Sequence, residues 1–283
     1  MTKNANTDFN ASKIEMNRID AKFKELTESK LKGLFPFIVA GQPDLETTIE
    51  LIKQLEKTGV SGIELGFPFT DPVADGPVIQ SAFAETLTKG ISVANIFEAL
   101  ANARTEISIP ILAMVSASIV YKIGIDNFLD KAKSAGFDGF IIPDLSLEEA
   151  PVIAEKIAKR DLRLAMLVAP TSPEERQKKI AATATGFLYY MSVAGITGER
   201  DKLPDDLPKN VKHLKEISGL PVIVGFGIKT PEQVKLVCSV ADGAIVGSAI
   251  VRRIADAQAQ GKSTQEIINI VTSYTAELLT GTQ

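Results

Sequence analysis

Eight short runs rich in β-branched and aliphatic residues recur along the chain, each parted from the next by a stretch of helical period. No other feature limits the fold as much. The runs are Leu34–Ala40, Gly62–Gly66, Ile109–Val115, Gly139–Pro143, Arg163–Val168, Phe187–Ser192, Pro221–Gly225 and Gly243–Val246. The amphipathic stretches include Leu45–Thr58, Ile125–Ala135, Leu147–Lys159, Pro173–Ala182, Lys209–Ile217 and Pro231–Val240, each the length of a crossover helix. Cap signals open several of them: Asp44 before Leu45, Ser146 followed by Glu149, Ser172 before Pro173 and Thr230 before Pro231. Gly59, Gly136 and Gly219 stand where helices should stop.

Strict β/α alternation implies a parallel sheet covered by helices. Eight units in about 250 residues match a closed (β/α)8 TIM barrel in number and length. The competing architecture, an open doubly wound sheet, often carries G-x-G-x-x-G after its first strand, whereas here that strand runs into Ala40-Gly41-Gln42-Pro43. Helical patterns at Ile14–Lys30, Ser92–Glu106 and Ser263–Leu279 read as additions to the barrel. Residues 14–283 are expected to form one barrel domain, and the polar, Asn-rich residues 1–13 a disordered tail in a cytoplasmic protein.

Charge and composition narrow the function. The net charge is −4, there is no Trp and no Lys/Arg block, so nucleic-acid binding is not expected. A single cysteine, Cys238, excludes an intrachain disulfide and a cysteine-rich metal site. The lone histidine, His213, sits in a polar helical pattern and reads as a surface residue. No apolar run reaches the roughly 18 residues of a membrane span.

Chemistry concentrates in Ile63-Glu64-Leu65-Gly66-Phe67-Pro68-Phe69-Thr70-Asp71-Pro72-Val73-Ala74-Asp75-Gly76-Pro77. Glu64 lies inside an apolar run, where an unpaired acid is costly unless its pKa shifts. Since strand side chains alternate, Ile63 and Leu65 share one face and Glu64 takes the other, toward the barrel mouth. That position suits a group which gives and takes protons; a structural Glu bonded to a Lys or a backbone amide is the other reading. Asp75 precedes Gly76-Pro77, so it is either a second active carboxylate or a helix N-cap. Asp71, in Thr70-Asp71-Pro72, reads as a turn former. Three acids this close admit a hard metal, but with no D-x-D or histidine ligand none is expected.

Two late glycine turns follow the seventh and eighth strands: Val224-Gly225-Phe226-Gly227-Ile228 and Val246-Gly247-Ser248-Ala249-Ile250, the second opening a helix. Bare peptide N–H groups and a helix N-terminus at these strand ends suit a phosphate, with tight turn packing as the alternative. The loop at Ala194-Gly195-Ile196-Thr197-Gly198-Glu199-Arg200-Asp201 reads as a lid or as an ordinary mobile loop. Tyr189, in the sixth strand, faces either the pocket or the core.

These segments, with Gly195-Ile196-Thr197-Gly198, Gly225-Phe226-Gly227 and Gly247-Ser248-Ala249-Ile250-Val251, resemble the tryptophan synthase α subunit family, over about Asn17 to Leu279. The resemblance implies a barrel that cleaves indole-3-glycerol phosphate to indole and glyceraldehyde 3-phosphate without cofactor or metal. It implies that Glu64 shuttles protons and that Asp75 accepts the indole N–H. Tyr189 would support the glycerol, Phe37 and Phe226 would enclose the indole, and Gly198, Gly227, Gly247 and Ser248 would hold the phosphate. Thr197 would close over Asp75. It further implies a β-subunit partner in an αββα tetramer, met through a surface that includes Asp71, Pro72, Ser118 and Ser146. The chain departs from the family pattern at Ser116-Ala117-Ser118, usually Y-x-N, at Ser146, usually Pro, and at Gln42, usually Asp. A changed docking rim and altered affinity for the partner are the expectation.

Other phosphate-binding barrels remain as alternatives, namely an indole-glycerol-phosphate synthase, a phosphoribosyl isomerase and a pentose-phosphate epimerase. The synthase wants a catalytic lysine and the epimerase strand histidines, and neither is evident. A non-catalytic regulatory subunit is the alternative outside enzymes.

Overall fold

A strand covered on both faces has to be apolar throughout, and all seven residues of β1 (Gly33–Val39) are buried. β2 (Ile63–Gly66), β3 (Ile111–Met114), β4 (Gly139–Ile141), β5 (Arg163–Val168), β6 (Leu188–Met191), β7 (Val222–Gly225) and β8 (Gly243–Val246) follow the same rule with few exceptions. In the computed structural model, which describes residues 16–72, 75–191, 204–225 and 227–283, all eight strands are parallel and close into a barrel in chain order. The closing seam pairs β1 with β8, Gly33 against Gly243 through Pro36 against Val246. The closed barrel replaces the open-sheet alternative. The expected tail at 1–13 lies outside the described residues, as do Phe226 and the whole of the expected lid at 194–201, Thr197 and Gly198 included.

Twelve α-helices pack around these strands among the described residues. They are α1 (Arg18–Ser29), α2 (Leu45–Thr58), α3 (Pro77–Thr88), α4 (Val93–Ala103), α5 (Ala117–Ile123) and α6 (Ile125–Ala135). The second half adds α7 (Ala150–Ala158), α8 (Glu174–Thr183), α9 (Leu207–Ser218), α10 (Pro231–Cys238), α11 (Ser248–Ala259) and α12 (Thr264–Leu279). Asp44 caps α2 by accepting from Thr47 N at 2.7 Å, and Thr230 forms a capping box with Gln233 at α10. Gly59, Gly136 and Gly219 end α2, α6 and α9 in left-handed conformation.

Three local expectations need correction. Ser172 does not cap α8; Pro173 holds the N-cap position and no side chain bonds there. α7 starts at Ala150 rather than Leu147. Glu149 N donates to Ser146 Oγ at 3.2 Å, and Ser146 Oγ donates to Glu149 Oε2 at 2.5 Å, so the cap pair holds a turn ahead of the helix. α5 has no counterpart among the expected helices. Ser116 starts it, accepting from Ser118 N at 3.2 Å and donating to Asp144 Oδ2 at 2.6 Å.

Side chains sort into two layers. Ile63 and Leu65 lie among the helices, while Phe35, Phe37, Val39, Leu112, Ile141 and Tyr189 belong to a separate cluster inside the barrel. α1 closes the amino-terminal end of this interior, where Phe23 stacks near Phe35 at 5.8 Å and Phe187 at 5.7 Å between ring centroids. Charges at that end are paired. Buried Asp138 accepts from Arg104 Nη2 at 2.7 Å, Ile111 N at 2.8 Å and Arg18 Nη1 at 2.9 Å. Asn17 Nδ2 donates to the carbonyls of Asp138 and Asp161, at 3.0 and 2.8 Å. The carboxyl ends of the strands are arranged differently. No helix among the described residues is long and apolar enough to cross a membrane.

Candidate active site

The alternation that sends Ile63 and Leu65 outward turns Glu64 inward, level with Phe37 on one side and Leu112 on the other. Glu64 is 2% exposed, and neither carboxylate oxygen has a hydrogen-bond partner among the described residues. Burial pushes its pKa from 4.5 up to about 8, with the neighbouring Asp75 charge adding to the shift. The reading of Glu64 as a bonded structural acid is thereby overturned.

Asp75 reaches the same cavity from the loop after β2. Its N–H donates to Pro72 O at 3.0 Å and its carbonyl accepts from Gln80 Nε2 at 2.8 Å, which fixes the backbone and leaves the side chain to the interior. Asp75 is not a helix cap: Gly76 occupies the N-cap of α3 without a side-chain bond, and Asp75 Oδ1 is buried with no partner. Burial raises its pKa from 3.8 to about 6. The two carboxyls therefore differ in acidity while facing one space, the arrangement that separates an acid from a charged stabiliser.

That space is a cavity of about 340 Å³ at the carboxyl ends of the strands. Phe37, Glu64, Asp75, Tyr189, Gly227, Gly247 and Ser248 all line it, so the structure brings together every expected catalytic and substrate-binding residue that lies in the described regions, while Asp71, Pro72, Ser118 and Ser146 lie outside it. Tyr189 is buried there, its phenol pKa held well above the usual value by burial and by the charges of Glu64 and Asp75. Its ring lies across the end of β7, where a Cβ on Gly225 would fall 2.6 Å from Tyr189 Cε1. At the other rim Gly247 is the N-cap of α11 and supplies no side-chain bond, leaving the first N–H groups of the helix to any anion present. Gly227 holds φ +79°, a left-handed turn that suits glycine.

Sequence reasoning missed several lining residues, among them Ile79, Met114, Ile141, Met166, Met191 and Arg176. The register aligns Glu64 with Leu112 and Gly139, and alternation from these two reaches Met114 and Ile141; nothing local marks Arg176, which lies on α8. His213 is half-buried on α9 and Cys238 buried on α10, both away from the cavity. No three His, Cys, Asp or Glu among the described residues gather as metal ligands.

A second cavity, about 50 Å³, shares Asp75, Met114 and Pro143 with the first and reaches Asp71, Pro72, Ser116 and Asp144. Asp71 and Ser118 are exposed, Pro72 and Ser146 half-buried. Gln42 departs from the expected docking rim: it is 1% exposed, with neither amide atom partnered among the described residues.

Comparison with known proteins agrees with this geometry. The profile of the family described as tryptophan synthase alpha chain matches residues 23–278. A tryptophan synthase alpha chain of Thermoanaerobacter sp. (strain X514) is 42% identical over 258 residues, covering 91% of this chain and 98% of the relative. One from Prochlorococcus marinus (strain MIT 9313) is 44% identical over 249 residues, covering 88% and 90%. The crystal structure of the alpha chain from Legionella pneumophila superposes with a TM-score of 0.85 at 35% identity, covering 94% and 97%. A structure of Mycobacterium tuberculosis tryptophan synthase gives 0.84 at 29%, covering 95% and 99%. The barrel, its two buried carboxyls and the matched length agree: this chain belongs to the tryptophan synthase alpha chain family.

Proposed function

We propose that this chain cleaves indole-3-glycerol phosphate to indole and glyceraldehyde 3-phosphate, in the cytoplasm, working with a tryptophan synthase β subunit in an αββα assembly. The observation that carries the reading is Glu64, buried in the cavity with both oxygens bare. Protonated Glu64 delivers its proton to indole C3, and the carboxylate then takes the proton of the glycerol hydroxyl. As that hydroxyl becomes a carbonyl, the bond between C3 and the glycerol carbon breaks and its electron pair returns to the indole. Positive charge develops at the indole nitrogen before cleavage, and ionised Asp75 stabilises it. Phe37 and Phe226 enclose the ring, Tyr189 supports the glycerol, and the amides of Gly198, Gly227, Gly247 and Ser248 hold the phosphate. Thr197 closes over Asp75. Incubating the purified chain with this substrate, with and without a β subunit, and following indole tests the reading; no indole under either condition ends it.

The two shifted carboxyls set the pH profile. kcat/KM should rise as Asp75 ionises around pH 6 and fall as Glu64 loses its proton around pH 8. Asp75→Asn should abolish the acid limb and lower the rate at the optimum by about 10²-fold, the scale of one lost electrostatic stabiliser. An unchanged acid limb would assign that ionisation elsewhere.

Gly225→Ala should displace Tyr189, because the added methyl occupies the space of its ring. Misplacement on the ångström scale costs up to about 10²-fold in rate. The expected result is a kcat/KM at least about tenfold lower, with thermal unfolding still cooperative. Wild-type kinetics would show that Tyr189 does not have to hold its position.

Asp71, Pro72, Ser118 and Ser146 belong, in this reading, to the surface that meets the β subunit. Full stimulation by a β subunit from an ordinary family pair would show that the serine replacements do not weaken docking.

A further inference from the structure

Among the described residues every arginine but one is engaged. Among the described residues Arg18 and Arg104 bond Asp138, Arg160 bonds Asp126 and Asp130, and Arg163 bonds Asp20 and Asp161. Arg253 stacks on Tyr274 at 3.3 Å, and Arg252 has a partner as well. Arg176 lies in the first turn of α8 beside Glu174 and Glu175, yet both of those carboxylates pair with Lys178, at 2.9 and 3.2 Å. The Arg176 guanidinium makes no hydrogen bond or ion pair among the described residues. It is exposed at the mouth of the cavity, the one cationic side chain among the described residues that line it.

The chemistry of the cavity leaves a task for such a group. A phosphate dianion entering it approaches two carboxyls, Glu64 and Asp75, in a chain of net charge −4. The open end of α11 supplies directed N–H groups but only about half an elementary charge. A guanidinium supplies a full charge and a planar fork of donors that matches phosphate oxygens. At the mouth it also acts on an approaching anion before contact.

We propose that Arg176 is a substrate-binding residue that meets the phosphate group together with the peptide N–H groups of Gly247 and Ser248. The proposal rests on the reading of the cavity as a site for indole-3-glycerol phosphate, and it deepens that reading by adding a side-chain cation to a phosphate site otherwise made of backbone. Arg176 takes no part in the proton transfers.

The test uses the full chain, wild type beside Arg176→Ala and Arg176→Lys. For Arg176→Ala, KM for indole-3-glycerol phosphate should rise about tenfold, the low end for a charge-assisted hydrogen bond at an exposed site, and kcat should fall far less. Arg176→Lys should recover part of the loss, and about 0.5 M salt should narrow the gap between wild type and Arg176→Ala. Binding is measured separately by calorimetry: Arg176→Ala should weaken glycerol 3-phosphate by a similar factor and leave indole unchanged. Equal glycerol 3-phosphate affinity in wild type and Arg176→Ala overturns the proposal, and so does an equal loss of indole affinity, which would mark a packing change. The binding arm needs no turnover. A wild-type chain that forms no indole therefore counts against the proposed reaction, while the calorimetry still decides Arg176.

Discussion

Glu64→Gln is expected to lower indole formation by about 10²–10⁴-fold, the usual contribution of a positioned general acid–base group. Glutamine keeps the size and most of the polarity of the side chain, so the cavity and its affinity for glycerol 3-phosphate should survive. What disappears is the proton that C3 must receive and the base that must take one from the hydroxyl. Retention of more than about a tenth of the rate would remove Glu64 from the chemistry. The variant also carries a stability signature. In the folded chain the Glu64 carboxyl holds its proton up to about pH 8 instead of 4.5. The native state therefore binds more protons than the unfolded one between these values, and wild-type stability declines as pH rises through that window. Glu64→Gln lacks this contribution, so its stability relative to wild type should grow between pH 5 and 9 by an amount on the order of several kcal/mol. Denaturant titrations of both proteins at pH 5 and 9 measure this; parallel curves would mean that the acid is not held protonated.

Asp138→Ala should be the most damaging single change to the fold, costing about 3–5 kcal/mol. Asp138 is buried at the amino-terminal end of the barrel and holds Arg104, Arg18 and the N–H of Ile111 at once. Arg104 is itself buried and also donates to the carbonyls of Gly136, Ile107 and Ile109. Removing the carboxylate leaves a buried cation without its counter-charge and a strand N–H without an acceptor. Urea unfolding should show a lower midpoint with an unchanged slope, while any protein that stays folded retains an ordinary KM, because the cluster lies at the opposite end of the barrel from the cavity. A loss below about 1 kcal/mol would mean that solvent reaches the guanidinium.

Local patterns carried the barrel, and long-range contacts decided the rest. The bounds of α2 and α6 were legible because Asp44, Gly59 and Gly136 act within their own turn. α5 was not, since Ser116 starts it by reaching Asp144, a residue 28 positions away. Glu64 was legible as an acid out of place in a strand, and alternation gave the direction it faces. Asp75 was ambiguous because cap and catalyst share one local signature; only its unpartnered oxygen and the bare N-cap of α3 separate them. Gln42 was placed on the docking rim by the family pattern alone, and nothing in its own segment signals that its side chain is buried. Arg176 left no trace in its own segment, since what distinguishes it is the pairing of Lys178 with both neighbouring acids.

The clasp made by Asn17 has a bearing on how the chain is born. Its amide spans 121 and 144 positions to reach its two carbonyls, so α1 leaves the ribosome long before its seat exists. β1 waits longer still, since one of its edges is covered only when β8 arrives. Throughout synthesis the nascent chain therefore carries an amphipathic helix and a bare strand edge at its leading end, the kind of surface that chaperones shield. Moving α1 and β1 behind α12 by circular permutation would deliver the plug and the seam last, and should shorten that exposure.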